Sequence, residues 1–104
     1  MTVNEVNIMK TNQTKKQMMN NLLHSINFNI QEAKRLFELY GSDDPFTCDA
    51  ITSAVTCINI LCTLGFITGI LHDELIYKLC FRKFDEITLF EVDYSCIIDK
   101  ENTV

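Results

Sequence analysis

One apolar stretch, DDPFTCDAITSAVTCINILCTLGFITG at residues 43–69, constrains the fold more than any other part of the chain. On a helical wheel its apolar side chains cover roughly 200°, so neighbouring elements must cover more than half of the helix. The ends carry helix signals: Asp44 can cap the first turn, Pro45 suits the first helical position, and Gly65 can end the last turn. The stretch therefore predicts a central helix near 45–64.

This central helix is expected to lie in the core of a soluble protein. The neighbouring apolar run INILCTLGFITGIL is interrupted by Asn59, Thr63, Gly65 and Thr68 and is too short to cross a bilayer. The first residues of the chain are polar and lack the basic-then-apolar order of a secretory signal. We therefore expect a cytoplasmic protein with no membrane partner.

Three further helices are predicted by apolar side chains that recur at helical spacing. They lie near 14–26, 29–40 and 69–84. The helix near 29–40 starts with Asn29 and Glu32 in the register of a capping box. Together with the central helix they indicate a mainly α fold: a compact bundle of about four helices in a single domain, 1–104.

After the last helix the apolar pattern changes. In ITLFEVDYSCII, apolar side chains alternate with acidic or polar ones, which is the two-residue repeat of a half-buried strand. A continued amphipathic helix is the alternative. We expect a short C-terminal strand over 87–98 as a minor β element, with flexible ends at 1–12 and 99–104.

The helix near 69–84 has apolar side chains on two flanks, which is more than a helix at the surface of a small domain needs. Either the C-terminal segment covers the second flank, or a second copy of the chain does. In the second case the homodimer interface would comprise four apolar residues: Ile76, Phe84, Phe90 and Val92.

The sequence contains no convincing catalytic, metal-binding or cofactor-binding motif. Its five cysteines include no C-x-x-C pair, which favours reduced free thiols over disulfides or a zinc site. His24 lies at the edge of an apolar stripe and His72 beside Asp73 and Glu74, positions more typical of surface residues than of catalytic bases, and a pair of Cys80 with His72 would depend on the fold. We expect no enzyme activity, no cofactor and no metal.

The segment LCTLGFITGILHDEL has the layout of a helix-turn-helix, with Gly65 in the turn. Asp73 and Glu74 lie early in the second helix, where residues would meet base edges, and the net charge of −5 opposes approach to phosphates. Direct binding to nucleic acid is therefore not expected. A helix-turn-helix-like transcriptional regulator, or a small structural or dimerisation protein, is the alternative function.

Charge is unevenly distributed along the chain. Residues 1–40 hold five Lys/Arg against three Asp/Glu, whereas residues 41–104 hold four against eleven, so the two halves carry about +2 and −7. An acidic surface either keeps the protein soluble or steers it towards a basic partner. The expected partner-binding surface comprises seven acids: Asp43, Asp44, Asp49, Asp85, Glu86, Glu91 and Asp93.

In size, in acidity and in its lack of catalytic motifs, the chain resembles small phage and mobile-element proteins that block host machinery, including anti-CRISPR proteins. The resemblance implies stoichiometric binding to a host protein that handles nucleic acid, in the cytoplasm of a bacterial host cell. We therefore expect a non-enzymatic protein-binding module that inhibits a basic host protein, such as a nucleic-acid-binding effector, through its acidic surface.

Overall fold

The computed structural model describes the backbone of residues 3–97 and the side chains of residues 15–97. Three α-helices follow one another along the chain: α1 (Val3–Tyr40), α2 (Pro45–Thr63) and α3 (Gly69–Cys80). Two single 3-10 turns come after them, at Phe84–Glu86 and Tyr94–Cys96. The mainly helical, compact fold expected from the sequence is confirmed.

The helix count of four is not confirmed, because the helices expected at 14–26 and 29–40 are one continuous helix, α1. Asn29, the expected cap, bonds within the helix instead: its Nδ2 donates to the carbonyl oxygen of Ser25 at 2.9 Å. Asparagine can either cap a helix or bond back to the preceding turn. No glycine or proline lies within α1, so nothing forces a break.

The ends of α2 and α3 carry the caps that their sequences indicate. The Asp44 carboxylate accepts hydrogen bonds from the backbone N–H of Phe46 at 2.9 Å and of Thr47 at 3.3 Å. Gly65 takes a φ of +82°, a left-handed conformation that suits glycine, in the turn after α2. The Thr68 hydroxyl then accepts from the backbone N–H of Leu71 and starts α3.

A single cluster of buried apolar side chains joins the three helices. Its members are Ile26, Ile30, Ala33, Ala50, Ile51, Ala54, Ile58, Leu61, Leu75, Leu79 and Phe84. Most of them come from α1 and α2. Three of those are alanines, whose small side chains let the backbones of two helices approach closely. The core therefore lies chiefly along the α1–α2 interface, with α3 packed against it.

The segment after α3, residues 84–97, which we call the tail, lies along α1 and runs in the opposite direction. Four contacts follow one another along the two elements: Phe37 with Phe84, Lys34 with Asp85, Asn27 with Phe90, and Asn20 with Asp93. The tail therefore covers a flank of the bundle from the C-terminal end of α1 to about its middle.

No strand forms within residues 87–97, so the strand expected over 87–98 is not confirmed; Ile98 lies outside the described residues. The alternation is present over residues 90–93, because Phe90 and Val92 are half-buried while Glu91 and Asp93 are exposed, but it ends at Tyr94, which is 61% exposed. The segment packs against a helix, which has no free row of backbone groups to pair with a strand. The flexible ends stay a prediction, and residues 99–104 are also outside the description.

Within the described residues, α2 is the one helix long and apolar enough to cross a membrane, with a mean hydropathy of 1.4 over eighteen residues. This finding rests on length and composition, and the core helix of a soluble protein meets the same criteria. One third of that window is buried in the protein. The exposed face of α2 carries polar side chains such as Thr52, Thr56, Asn59 and Thr63.

Candidate protein-binding surface

A link between distant parts of the chain gathers five of the seven expected acids at one end of the molecule. The Arg82 guanidinium, just after α3, donates from Nε to the Ser42 hydroxyl at 3.1 Å and from Nη2 to the Ser42 carbonyl oxygen at 3.2 Å. The loop before α2 is thereby held against the end of α3. We call the resulting group the acidic end: Asp43, Asp44, Asp49, Asp85 and Glu86.

The carboxylates of the acidic end differ in whether they already form a hydrogen bond or an ion pair within the protein. Asp44 caps α2, and Asp85 forms an ion pair with Lys34, whose Nζ lies 2.7 Å from Oδ1. This hydrogen bond with Asp85 raises the pKa of Lys34. Among the described side chains, Asp43 and Asp49 are exposed and form no ion pair. They are the acids of this group that are most available to a partner.

Glu91 and Asp93 do not belong to the acidic end. The backbone N–H of Asp93 donates to Asn20 of α1 at 2.9 Å, whereas Asp85 pairs with Lys34 of the same helix. Fourteen residues separate these two positions on α1, which corresponds to roughly 20 Å at the rise of an α-helix. The acids expected to form one surface are therefore divided between two places.

The Asp93 carboxylate is occupied within its own turn. It accepts hydrogen bonds from the Ser95 hydroxyl at 2.6 Å, the Ser95 backbone N–H at 3.1 Å and the Cys96 thiol at 3.2 Å. The side-chain bonds from Ser95 and then Cys96 are the main causes that lower the pKa of this carboxyl. Asp93 therefore stabilises the short turn in the tail, and its carboxylate oxygens are already engaged in hydrogen bonds there.

The four residues expected at a dimer interface are largely used within one copy. Phe84 is buried in the core, with its ring centroid 5.6 Å from that of Phe37, so it is not exposed to a second copy while the tail packs on its own chain. Ile76 and Phe90 are half-buried and pack against the core, and Val92 is also half-buried. The second flank of α3 is only partly covered, because Ile76 is half-buried whereas Tyr77, Cys80 and Phe81 are exposed, and the tail lies along α1 instead.

The outer face of α3 carries a row of exposed apolar side chains that we call the α3 stripe: Ile70, Tyr77 and Phe81. Their exposed fractions are 83%, 51% and 64%. The spacing of seven and eleven residues places all three within about 40° on one side of the helix. The rings of Tyr77 and Phe81 lie against each other with centroids 4.8 Å apart, and Lys83 Nζ lies 5.5 Å from the Tyr77 ring centre.

Acidic side chains flank the α3 stripe on both sides. Asp73 and Glu74 follow Ile70 by about one turn, and both side chains are exposed. The sequence pattern already places Tyr77 and Phe81 on a different flank of α3 from the buried Leu75. That pattern leaves out Ile70, and the signal that could have added it is the i, i+7, i+11 spacing.

Compared with protein-family models, curated proteins and solved structures, the chain has no significant match. Its function is therefore inferred from its surface alone.

The histidine and cysteine residues considered for catalysis or metal binding occupy positions in which they contribute to the fold. His72 bridges α2 and α3: its Nε2 is 2.6 Å from the Asn59 side-chain oxygen, and its Nδ1 is 2.9 Å from the Asp73 carboxylate. The five cysteines are free thiols, and burial raises the pKa of Cys57. Across the described part of the chain, no three His, Cys, Asp or Glu side chains gather in a group that could hold a metal ion.

Proposed function

We propose that this protein is a small, non-enzymatic binding module that inhibits a basic, nucleic-acid-handling protein by stoichiometric binding. The observation that carries the proposal is the α3 stripe, in which three large apolar side chains are exposed beside Asp73 and Glu74. Aromatic side chains commonly supply most of the affinity at an interface. Acids around them favour a basic partner and speed its encounter.

The acidic end extends this surface. Phe81, the last member of the α3 stripe, directly precedes Arg82, which is bonded to the loop that carries Asp43. A partner seated on the stripe would therefore also lie close to exposed carboxylates. Such a surface can occupy a cationic groove that normally receives nucleic acid. This supports inhibition by competition with nucleic acid.

The resemblance in size and charge supports a source in a phage or mobile element, and an anti-CRISPR-like role in the cytoplasm of a bacterial host. The alternative proposal is a helix-turn-helix-like regulator made of α2, the turn containing Gly65, and α3. Asp73 and Glu74 flank the exposed face of α3 and would oppose its entry into a DNA groove. A shift of a DNA probe by the purified protein would favour the regulator.

The experiment is capture from a bacterial lysate at low salt, identification of the captured protein, and measurement of its affinity in purified form. Phe81→Ala should weaken binding at least about tenfold, because it removes an aromatic anchor. Phe28→Ala is the matched control, since Phe28 is 58% exposed and lies on α1. Equal affinities of the two variants would contradict a role for the α3 stripe.

A second pair of variants tests the acidic end. Asp43→Asn with Asp49→Asn removes two exposed charges and leaves the cap at Asp44 in place. Glu91→Gln with Asp93→Asn removes two charges elsewhere, and asparagine retains the oxygen that accepts hydrogen bonds in the tail. The first pair should slow association with the partner more than the second pair does. Nucleic acid should also compete with this protein for binding to the partner. Equal slowing by the two pairs would count against the acidic end.

A further inference from the structure

Two asparagines of α1 hold the tail by its backbone. Asn27 donates from Nδ2 to the carbonyl oxygen of Phe90 at 2.8 Å and accepts from the backbone N–H of Phe90 at 2.9 Å. Asn20 accepts from the backbone N–H of Asp93 at 2.9 Å. Both asparagines are buried. The helix thus offers the tail the kind of hydrogen bonds that a neighbouring strand would offer.

Opposite charges also attract the tail to α1. The tail contains four acids and no basic residue, while the Lys34 side chain of α1 pairs with Asp85 at 2.7 Å. The Lys78 side chain of α3 also donates to the Glu86 carbonyl oxygen at 3.0 Å, a contact that a second copy can equally supply. Several other bonds of the tail lie within its own short turns, such as that from the Ile87 N–H to the Phe84 carbonyl oxygen. These turns would move with the tail. Nothing in the contacts between the tail and α1 therefore requires both to belong to the same copy.

The connection between α3 and the tail is under backbone strain. Arg82 has a φ of +58°, a left-handed conformation that residues other than glycine adopt at a cost. The turn is closed by bonds from the Lys83 N–H to the Lys78 carbonyl oxygen at 2.7 Å and from the Arg82 N–H to the Leu79 carbonyl oxygen at 3.2 Å. The tail can reach a second copy only if this turn opens, and opening releases the strain at Arg82.

We propose that two copies of this chain exchange their tails, so that α1 of each copy holds the tail of the other. The dimer remakes every contact between α1 and the tail and relaxes two strained turns. Against this stands the loss of freedom when two molecules associate, so the exchanged dimer grows with protein concentration. Of the four residues expected at a dimer interface, this interface includes Phe84, Phe90 and Val92, because they lie in the tail, whereas Ile76 lies on α3.

The first test uses the Lys34–Asp85 ion pair as a reporter. Unlabelled and ¹⁵N-labelled full-length chains are refolded together at high concentration under reducing conditions, and monomer and dimer fractions are separated. Each fraction is then treated with a zero-length carbodiimide cross-linker and digested. Mass spectrometry should find mixed-isotope Lys34–Asp85 links in the dimer and same-isotope links in the monomer.

The Glu74–Lys78 pair is the internal control, since it lies within α3 at 2.8 Å and should always give same-isotope links. The absence of a dimer fraction, or a dimer whose Lys34–Asp85 links all carry one isotope, would overturn the proposal.

The second test changes the turn. Arg82→Val and Arg82→Gly both remove the bonds to Ser42, but a left-handed φ is unfavourable for valine and easy for glycine. Because two turns open per dimer, the dissociation constant of the dimer should be at least about tenfold lower for Arg82→Val than for Arg82→Gly. Light scattering across a concentration series measures both.

Adding Asn27→Ala to Arg82→Val should leave the dissociation constant nearly unchanged, since Asn27 holds the tail in either arrangement and two monomers contain as many of these clamps as one exchanged dimer. A dissociation constant that rises at least about tenfold with Asn27→Ala, or equal dissociation constants for the two Arg82 variants, would contradict tail exchange. Should Arg82→Val fail to fold, the isotope experiment on the unaltered sequence decides.

Discussion

Asn27→Ala should lower the free energy of unfolding by about 1.5 kcal/mol. Asn27 is 9% exposed and makes two hydrogen bonds to the backbone of Phe90, at 2.8 and 2.9 Å. Losing both removes about 2 kcal/mol, because the N–H and C=O of Phe90 are left without their partner in a partly buried site. The better helix propensity of alanine offsets roughly 0.5 kcal/mol of that loss.

Asn29→Ala is the matched control for this prediction. Asn29 lies on the same helix, and its hydrogen bond goes to the carbonyl oxygen of Ser25 within α1. The free energy of unfolding should therefore change by less than about 0.5 kcal/mol. Urea unfolding followed by circular dichroism measures both variants, and the amide of Phe90 should exchange about tenfold faster in Asn27→Ala. Equal unfolding midpoints would refute the assignment of Asn27 as a clamp on the tail.

Three further predictions concern stability. Ala54→Asp should abolish the helical circular dichroism signal, because it places an unpaired carboxylate at a fully buried position. Thr56→Asp, at an exposed position of the same helix, should leave the signal unchanged. Equal folding of the two variants would contradict the assignment of Ala54 to the core. Thr47→Val should raise the free energy of unfolding by about 1 kcal/mol, since the buried Thr47 hydroxyl has no hydrogen-bond partner among the described residues. A lower melting temperature would refute this. The hydrogen bonds from Ser95 lower the pKa of Asp93 in the folded state. Their contribution to the stability of the folded tail is therefore complete above about pH 4 and disappears as the pH falls through that lowered pKa. Amide exchange in the tail should accelerate over that range, and Asp93→Asn should remove the dependence.

The features that could be predicted from the sequence are those that act within one or two helical turns. Asp44 and Thr68 cap α2 and α3 in the way their positions indicate, because a cap bonds to the next few backbone N–H groups. The exposed polar face of α2 follows from helical periodicity alone. Asn29 shows the limit of such reasoning, since the same residue type can begin a helix or bond back within one.

The features that could not be predicted depend on contacts between distant parts of the chain. The alternation around Phe90 correctly indicates which side chains face inwards, yet a strand and an extended segment against a helix share that pattern. The bond between Arg82 and Ser42 spans forty residues and has no local signal. For the same reason the seven acids could be named from the sequence, whereas the approach of Asp85 and Glu86 to the loop that carries Asp43 could not.

The central claim is that a basic partner binds the α3 stripe and the acidic end. The most direct test is the association rate constant of the purified protein with its captured partner, measured at about 0.05 M and 0.5 M salt. Exposed charges are screened over this range, so the account predicts that association slows by an order of magnitude or more while dissociation changes little. Phe81→Ala should instead accelerate dissociation and keep the salt dependence. An association rate that is the same at both salt concentrations would contradict the claim.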